Sequence, residues 1–175
     1  MTMFDISLAV QATWAADNPP KATAADIALA ESQLGIRLPA DYKAFVTQYG
    51  CVIFGRDTEG RNPFSYVIED GGQTETWQRG VSFLLDLKQA VSNYQYMISE
   101  EDPEDAARPM IPPGYLPIAS DAGHARLLLG IAAHPGQVWF WPQSEWRWSL
   151  EDNRALGLVA ETFEAFINGL RPYPL

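Results

Sequence analysis

Residues 27–50, IALAESQLGIRLPADYKAFVTQYG, restrict the fold more than any other stretch of the chain. Ile27, Ala30, Glu31 and Leu34 recur at helical spacing, and Gly35 suits the left-handed position that ends a helix. Leu38-Pro39 then breaks the chain, and proline is tolerated in a first helical turn. Beyond it Tyr42, Phe45, Val46 and Tyr49 form a second apolar stripe, closed by Gly50. Upstream, Thr23-x-x-Asp26 has the form of a capping box, in which the threonine hydroxyl takes a free amide of the first turn. Near the other end, Val159, Phe163, Phe166, Ile167 and Leu170 share one face of a predicted closing helix. None of these stretches holds a catalytic group. The most regular part of the chain describes a scaffold.

The remaining sequence reads as short strands and one more helix. Asn18-Pro19-Pro20 is a stiff break, and the segment before it is expected to be an amphipathic helix with Phe4, Leu8, Gln11 and Ala12 on one face and Trp14 beside them. From Cys51 the pattern changes: 51–54 and 64–68 are β-rich runs on either side of a charged loop, 55–63. Gly71-Gly72 breaks the chain again, and 81–85 reads as a strand. Asp86 is a candidate N-cap for a helix with Leu87, Ala90, Val91, Tyr94 and Ile98 inward. Further strands are expected at 116–119, 125–131 and 137–141, the last two joined at Pro135-Gly136, and Trp146-Arg147-Trp148 would extend the sheet. Helices, then mostly antiparallel strands, then a helix indicate the α+β class. A length of 175 residues suits one domain, 1–175, with a substantial core.

Charge narrows the partners. The chain carries 22 acidic and 12 basic residues, a formal net charge of −10, which repels nucleic acid and anionic membranes and attracts basic macromolecules. No run reaches the roughly 18 apolar residues of a membrane span. The N-terminal apolar run is interrupted by Asp5 and preceded by no Lys or Arg, unlike a secretory leader. The single cysteine, Cys51, excludes an internal disulfide and fits a reducing compartment. A cytoplasmic location is expected.

Several pieces stand in a recognisable order: Glu31, Leu34, Gly35, Leu38, Pro39, Asp41, Tyr42, Lys43, Phe45 and Val46; then Leu116-Pro117-Ile118-Ala119-Ser120-Asp121; then Val138-Trp139-Phe140-Trp141; and last Ala160-Glu161-Thr162-Phe163-Glu164-Ala165-Phe166. In this order and spacing the chain resembles the SUKH superfamily, the Smi/Knr-like group, over about residues 27–170. It departs from the pattern at Asp121-Ala122-Gly123-His124, where many relatives carry a Gly-Gly-Asp-type turn. The resemblance implies N-terminal helices packed on a mainly antiparallel, curved sheet closed by a C-terminal helix. It also implies a bacterial immunity protein that binds a secreted toxin's catalytic domain in the cytoplasm, without cofactor or metal. Many such toxins are nucleases or deaminases acting on nucleic acid, and a basic phosphate-binding cleft is a natural target for an acidic protein.

Two acidic segments are candidate partner surfaces. Glu100, Glu101, Asp102, Glu104 and Asp105 form the densest like-charge block and are read either as a phosphate mimic or as an ordinary solvated loop. Glu69, Asp70 and Glu75 surround Gly71-Gly72, with Trp77 following as an interface anchor or as a cover for the sheet. Period two places Trp139 and Trp141 on one sheet face and Phe140 on the other, and the tryptophan row is read first as core and otherwise as a binding or dimer surface. Competing roles are an intracellular scaffold or regulatory module of the Smi/Knr type, and a small-molecule binder with a tryptophan-lined cavity.

Catalysis is not expected. Cys51 sits in the apolar run CVIF without a nucleophile elbow, and its only candidate bases are His124 and His134. One Cys and two scattered His lack metal-ligand spacing, and Gly55, Gly60, Gly71 and Gly72 build no phosphate loop.

Overall fold

The computed structural model describes residues 4, 12–13, 20–54, 62–70, 73–99, 110–120, 126–141 and 156–170. Along the chain these form β1 (Ala12–Thr13), α1 (Ala24–Leu34), α2 (Ala40–Gln48), β2 (Val52–Phe54), β3 (Asn62–Asp70), β4 (Gln73–Val81) and β5 (Phe83–Leu84). There follow α3 (Leu87–Ile98), β6 (Tyr115–Ser120), β7 (Arg126–Gly130), β8 (Val138–Trp141), β9 (Gly157–Ala160) and α4 (Phe163–Gly169).

Local chemistry sets the helix ends. The Asp26 amide donates to Thr23 Oγ1 at 3.2 Å and the Thr23 amide to Asp26 Oδ2 at 2.8 Å, so the box at the start of α1 is closed from both sides. Gly35 terminates α1 with φ of 67°, a left-handed value that favours glycine. Asp86 caps α3 in the same reciprocal manner with Gln89. Thr162 caps α4 through the Ala165 amide at 3.0 Å.

The strands make one antiparallel sheet of nine in the order β1-β2-β5-β6-β7-β8-β9-β3-β4. In that order the β3–β4 hairpin follows β9, yet only Ser82 separates β4 from β5, so the sheet curls until the end of β4 comes beside β5 and β6, where the Ser82 amide donates to the Ser120 carbonyl at 3.0 Å. Among the described residues, β4 is one edge of the sheet and the two-residue β1 the other.

Alternation along β7 and β8 divides the core. Leu127, Leu129, Val138 and Phe140 face the helices and pack with Tyr42 and Phe45 of α2 and Phe163 and Phe166 of α4. Edge-to-face rings join α2 to α4: Tyr42 to Phe163 and Phe45 to Phe163, each with centroids 5.1 Å apart. Leu128 and Trp141 point the other way and pack with Tyr115, Ile111 and Met97. Helices on a curled antiparallel sheet make this the α+β fold that the sequence implied.

Three expectations need correction. Ala12 and Thr13 pair with Phe54 and Ile53 as a strand, so no helix runs through them; the open edge of β2 captures this short segment whatever its helical period. Val159 belongs to β9, because Thr162 starts α4 later than the apolar spacing indicates. Strand 81–85 is split: Val81 ends β4, and only Phe83 and Leu84 pair with β2. The expected loop at 100–105 and the strand at 146–148 lie outside the described residues.

Candidate functional site

The residues of the helix–Leu-Pro–helix pattern prove to be joints. Glu31 of α1 accepts from the Leu38 amide at 2.9 Å and from Lys43 Nζ at 3.0 Å, tying the first helix to the break and to the second helix. Those two hydrogen bonds, the lysine's first, hold its carboxyl below the usual carboxylate range. Asp41 Oδ2 accepts from the Glu164 amide at 3.0 Å, so the start of α2 caps the start of α4 across 123 positions of sequence. Tyr42, 1% exposed, lies beneath them. These groups are consumed in holding the helices together.

Candidate partner residues lie elsewhere, on the β3–β4 hairpin. The two strands pair without a bulge from Asn62↔Val81 to Asp70↔Gln73, which places Glu69 opposite Thr74 near the turn. Glu75 and Trp77 fall on β4, where residues 73–79 are all exposed. Trp77 is directly across from Tyr66 and so shares its face. Tyr66 is buried against Phe140 with centroids 4.6 Å apart, whereas Trp77, one strand further out, is 47% exposed. The Trp77 indole N–H donates to Glu75 Oε2 at 2.9 Å. Trp77 therefore does not serve as core, and its ring and a carboxylate present one mixed polar–aromatic surface. Glu100, Glu101, Asp102, Glu104 and Asp105 lie outside the described residues.

The tryptophan row is mostly packed. Trp141 is 4% exposed, and Trp139 is half-buried beside Tyr115 and His134. Register continues that outer face from Trp139 through Leu158 to Val67, which is 37% exposed. A groove of about 540 Å³ opens between α1 and α3, lined by Lys21, Asp26, Leu29, Asp86, Leu87 and Val91 among others. No tryptophan lines it, so it is not the tryptophan-lined cavity considered above.

Cys51 is a half-buried free thiol directly before β2. Burial, and then the negative charge of Asp86, push its thiol up, away from the thiolate a nucleophile needs. It immediately precedes β2, while His134 follows β7, and β5 and β6 lie between those strands. At about 4.8 Å per strand that is roughly 14 Å, beyond any hydrogen bond. His124 lies outside the described residues. Among the described residues no three His, Cys, Asp or Glu side chains group as metal ligands, and no helix is long and apolar enough to cross a membrane.

Sequence reasoning missed β4 as a strand. Its signal was Thr74, Thr76 and Trp77, β-forming residues without an apolar alternation, because neither face of an edge strand needs burial here.

Fold and surface together define a class: a helix-braced antiparallel scaffold whose regular motif is structural and whose exposed tryptophan sits on a sheet edge. Residues 21–169 match the model of the SMI1 / KNR4 family (SUKH-1). The chain belongs to that family. No curated protein matches it closely enough to be named beside it. SUKH proteins are generally non-enzymatic, toxin-binding immunity proteins, and membership is consistent with such a role here.

Proposed function

We propose that this chain is a cytoplasmic immunity protein that neutralises a cognate bacterial toxin domain by covering its active or substrate-binding surface. Family membership over residues 21–169 is the observation that carries this reading. The net charge of −10 supports a basic partner, since a toxin acting on nucleic acid must hold phosphate. The raised thiol of Cys51 supports occlusion over turnover. Partner contacts are assigned to Glu69, Asp70, Glu75 and Trp77 on the hairpin and to Glu100, Glu101, Asp102, Glu104 and Asp105. In this arrangement the carboxylates steer the encounter and the exposed indole anchors it.

The test is survival. The variable C-terminal domain of a large secreted protein, if the adjacent gene encodes one, is expressed in cells with and without this protein. Rescue of growth, with a stoichiometric complex on co-purification, supports the proposal. Growth arrest that this protein leaves unchanged rejects it, and favours a scaffold or regulatory module of the Smi/Knr type. A small-molecule binder is the second reading, carried by the groove between α1 and α3. A ligand seated there would raise the thermal midpoint in a metabolite screen, because it binds the native state alone.

A further inference from the structure

Among the described residues strand β4 is an open edge that lacks most of the usual safeguards. Natural edges are blunted by charged side chains, lysine above all, by proline, by bulges or by a covering element. β4 contains no Lys and no Pro, its nine pairs with β3 are unbroken, and residues 73–79 are exposed. Its only charged side chains are Glu75 and Arg79, and they are spaced symmetrically about Trp77. Trp77 is also the midpoint of the strand, Gln73–Val81.

That arrangement is self-complementary. A two-fold axis at Trp77 lays β4 antiparallel on β4 of another molecule, with each residue opposite the one equally far on the other side of Trp77. Glu75 then faces the second copy's Arg79, and Arg79 its Glu75, on the same sheet face as the two indoles. Thr76 meets Gln78 on the opposite face, a neutral pair able to hydrogen-bond. Other two-fold registers lose both charge pairs. Neither charge is otherwise committed to an ion pair among the described residues: Glu75 accepts from its own Trp77, and Arg79 Nη1 donates to the Gln78 carbonyl at 3.2 Å.

We propose that β4 is a homodimer edge, on which a second copy of this chain adds its own β4 about a two-fold axis at Trp77. The pairing satisfies the outward backbone groups of both strands and joins the two sheets into one. It converts the most exposed tryptophan described into the centre of an isologous interface. The aromatic row Phe140–Tyr66–Trp77 is thereby continued across the axis. The inference does not rest on toxin neutralisation. It reassigns Glu75 and Trp77 to self-association, which leaves Glu69, Asp70 and the acidic segment 100–105 to face a toxin.

Sedimentation equilibrium of the full chain alone, without any toxin, tests it. The wild type is expected to be a dimer at micromolar to submillimolar concentration. Glu75→Arg and Arg79→Glu each place like charges opposite one another, and each alone is expected to weaken the dimer by at least about tenfold. Mixing the two variants in equal amounts restores complementary pairs at both positions and is expected to restore the dimer mass. Both positions are solvent-exposed, and circular dichroism of each variant verifies the fold. A monomeric wild type, or a dimer indifferent to either substitution, or variants that stay apart when mixed, would overturn the proposal. A wild type that is monomeric alone, yet loses toxin binding on the same substitutions, would overturn it too and return Glu75 to the toxin-facing surface.

Discussion

The Tyr42 hydroxyl is buried and has no hydrogen-bond partner among the described groups, although its ring packs on Phe163. Burial, with the charge of Asp86 adding to it, pushes the phenol well above its ordinary range, so it stays neutral at any physiological pH. An unsatisfied buried hydroxyl costs about 1–3 kcal/mol, more than the ring gains by carrying it. Tyr42→Phe keeps the ring and removes the liability. It is expected to leave stability unchanged or raise it by up to about 1 kcal/mol, read as a higher urea midpoint at constant slope. A loss of more than about 1 kcal/mol would mean that the hydroxyl is partnered after all.

Elements were legible where their signals were local. The capping box at Thr23, the N-cap at Asp86, the stripe of Tyr42, Phe45 and Val46, and the β7–β8 hairpin depend on residues a few positions apart, and each forms as expected. β9 was not legible, because Val159 joins the same apolar cluster as Phe163, and the strand's inward face runs into the helix's without a change of period. Nor was β4, whose own residues are mostly polar and exposed from 73 to 79. Of the candidate site, charge could be read in advance, whereas Trp77 read equally as an anchor or as a cover for the sheet. That Trp77 shares a face with Tyr66 required the register.

The bond that joins α1 to α2 has a pH signature. Glu31 is bound to Lys43 Nζ and to the Leu38 amide, and its carboxyl lies below the ordinary value of 4.5. A depressed folded-state pKa means that the unfolded chain takes up the proton first as pH falls. The stabilisation is therefore complete above pH 4.5 and disappears as pH drops through the folded-state value. Glu31→Gln is expected to cost about 1 kcal/mol at neutral pH. It should also flatten the acid limb of a stability profile measured by urea titration. A parallel downward shift of the whole profile, with its acid limb unchanged, would place the pH dependence on other carboxylates.

At the scale of the whole molecule the decisive quantity is the field. A net charge of −10 on 175 residues projects beyond any one contact, yet salt of about 0.1 M confines it to roughly 10 Å. A basic toxin domain is therefore captured faster at low salt, and its dissociation depends on the packed centre of the interface. Reversing Glu100, Glu101, Asp102, Glu104 and Asp105 to lysine changes the charge by two units at each position, and so takes the net value from −10 to about zero. If this segment steers the toxin, the association rate constant at low ionic strength falls by about ten- to a hundredfold, and its dependence on salt flattens. The dissociation rate moves little if the segment only steers, and rises sharply if its carboxylates are buried against the partner's cations. Stopped-flow association across a salt series, with dissociation followed by competition, separates these outcomes. An association rate that keeps the wild-type value and slope would remove residues 100–105 from the surface and leave the hairpin carboxylates, Glu69 and Asp70, to carry the attraction.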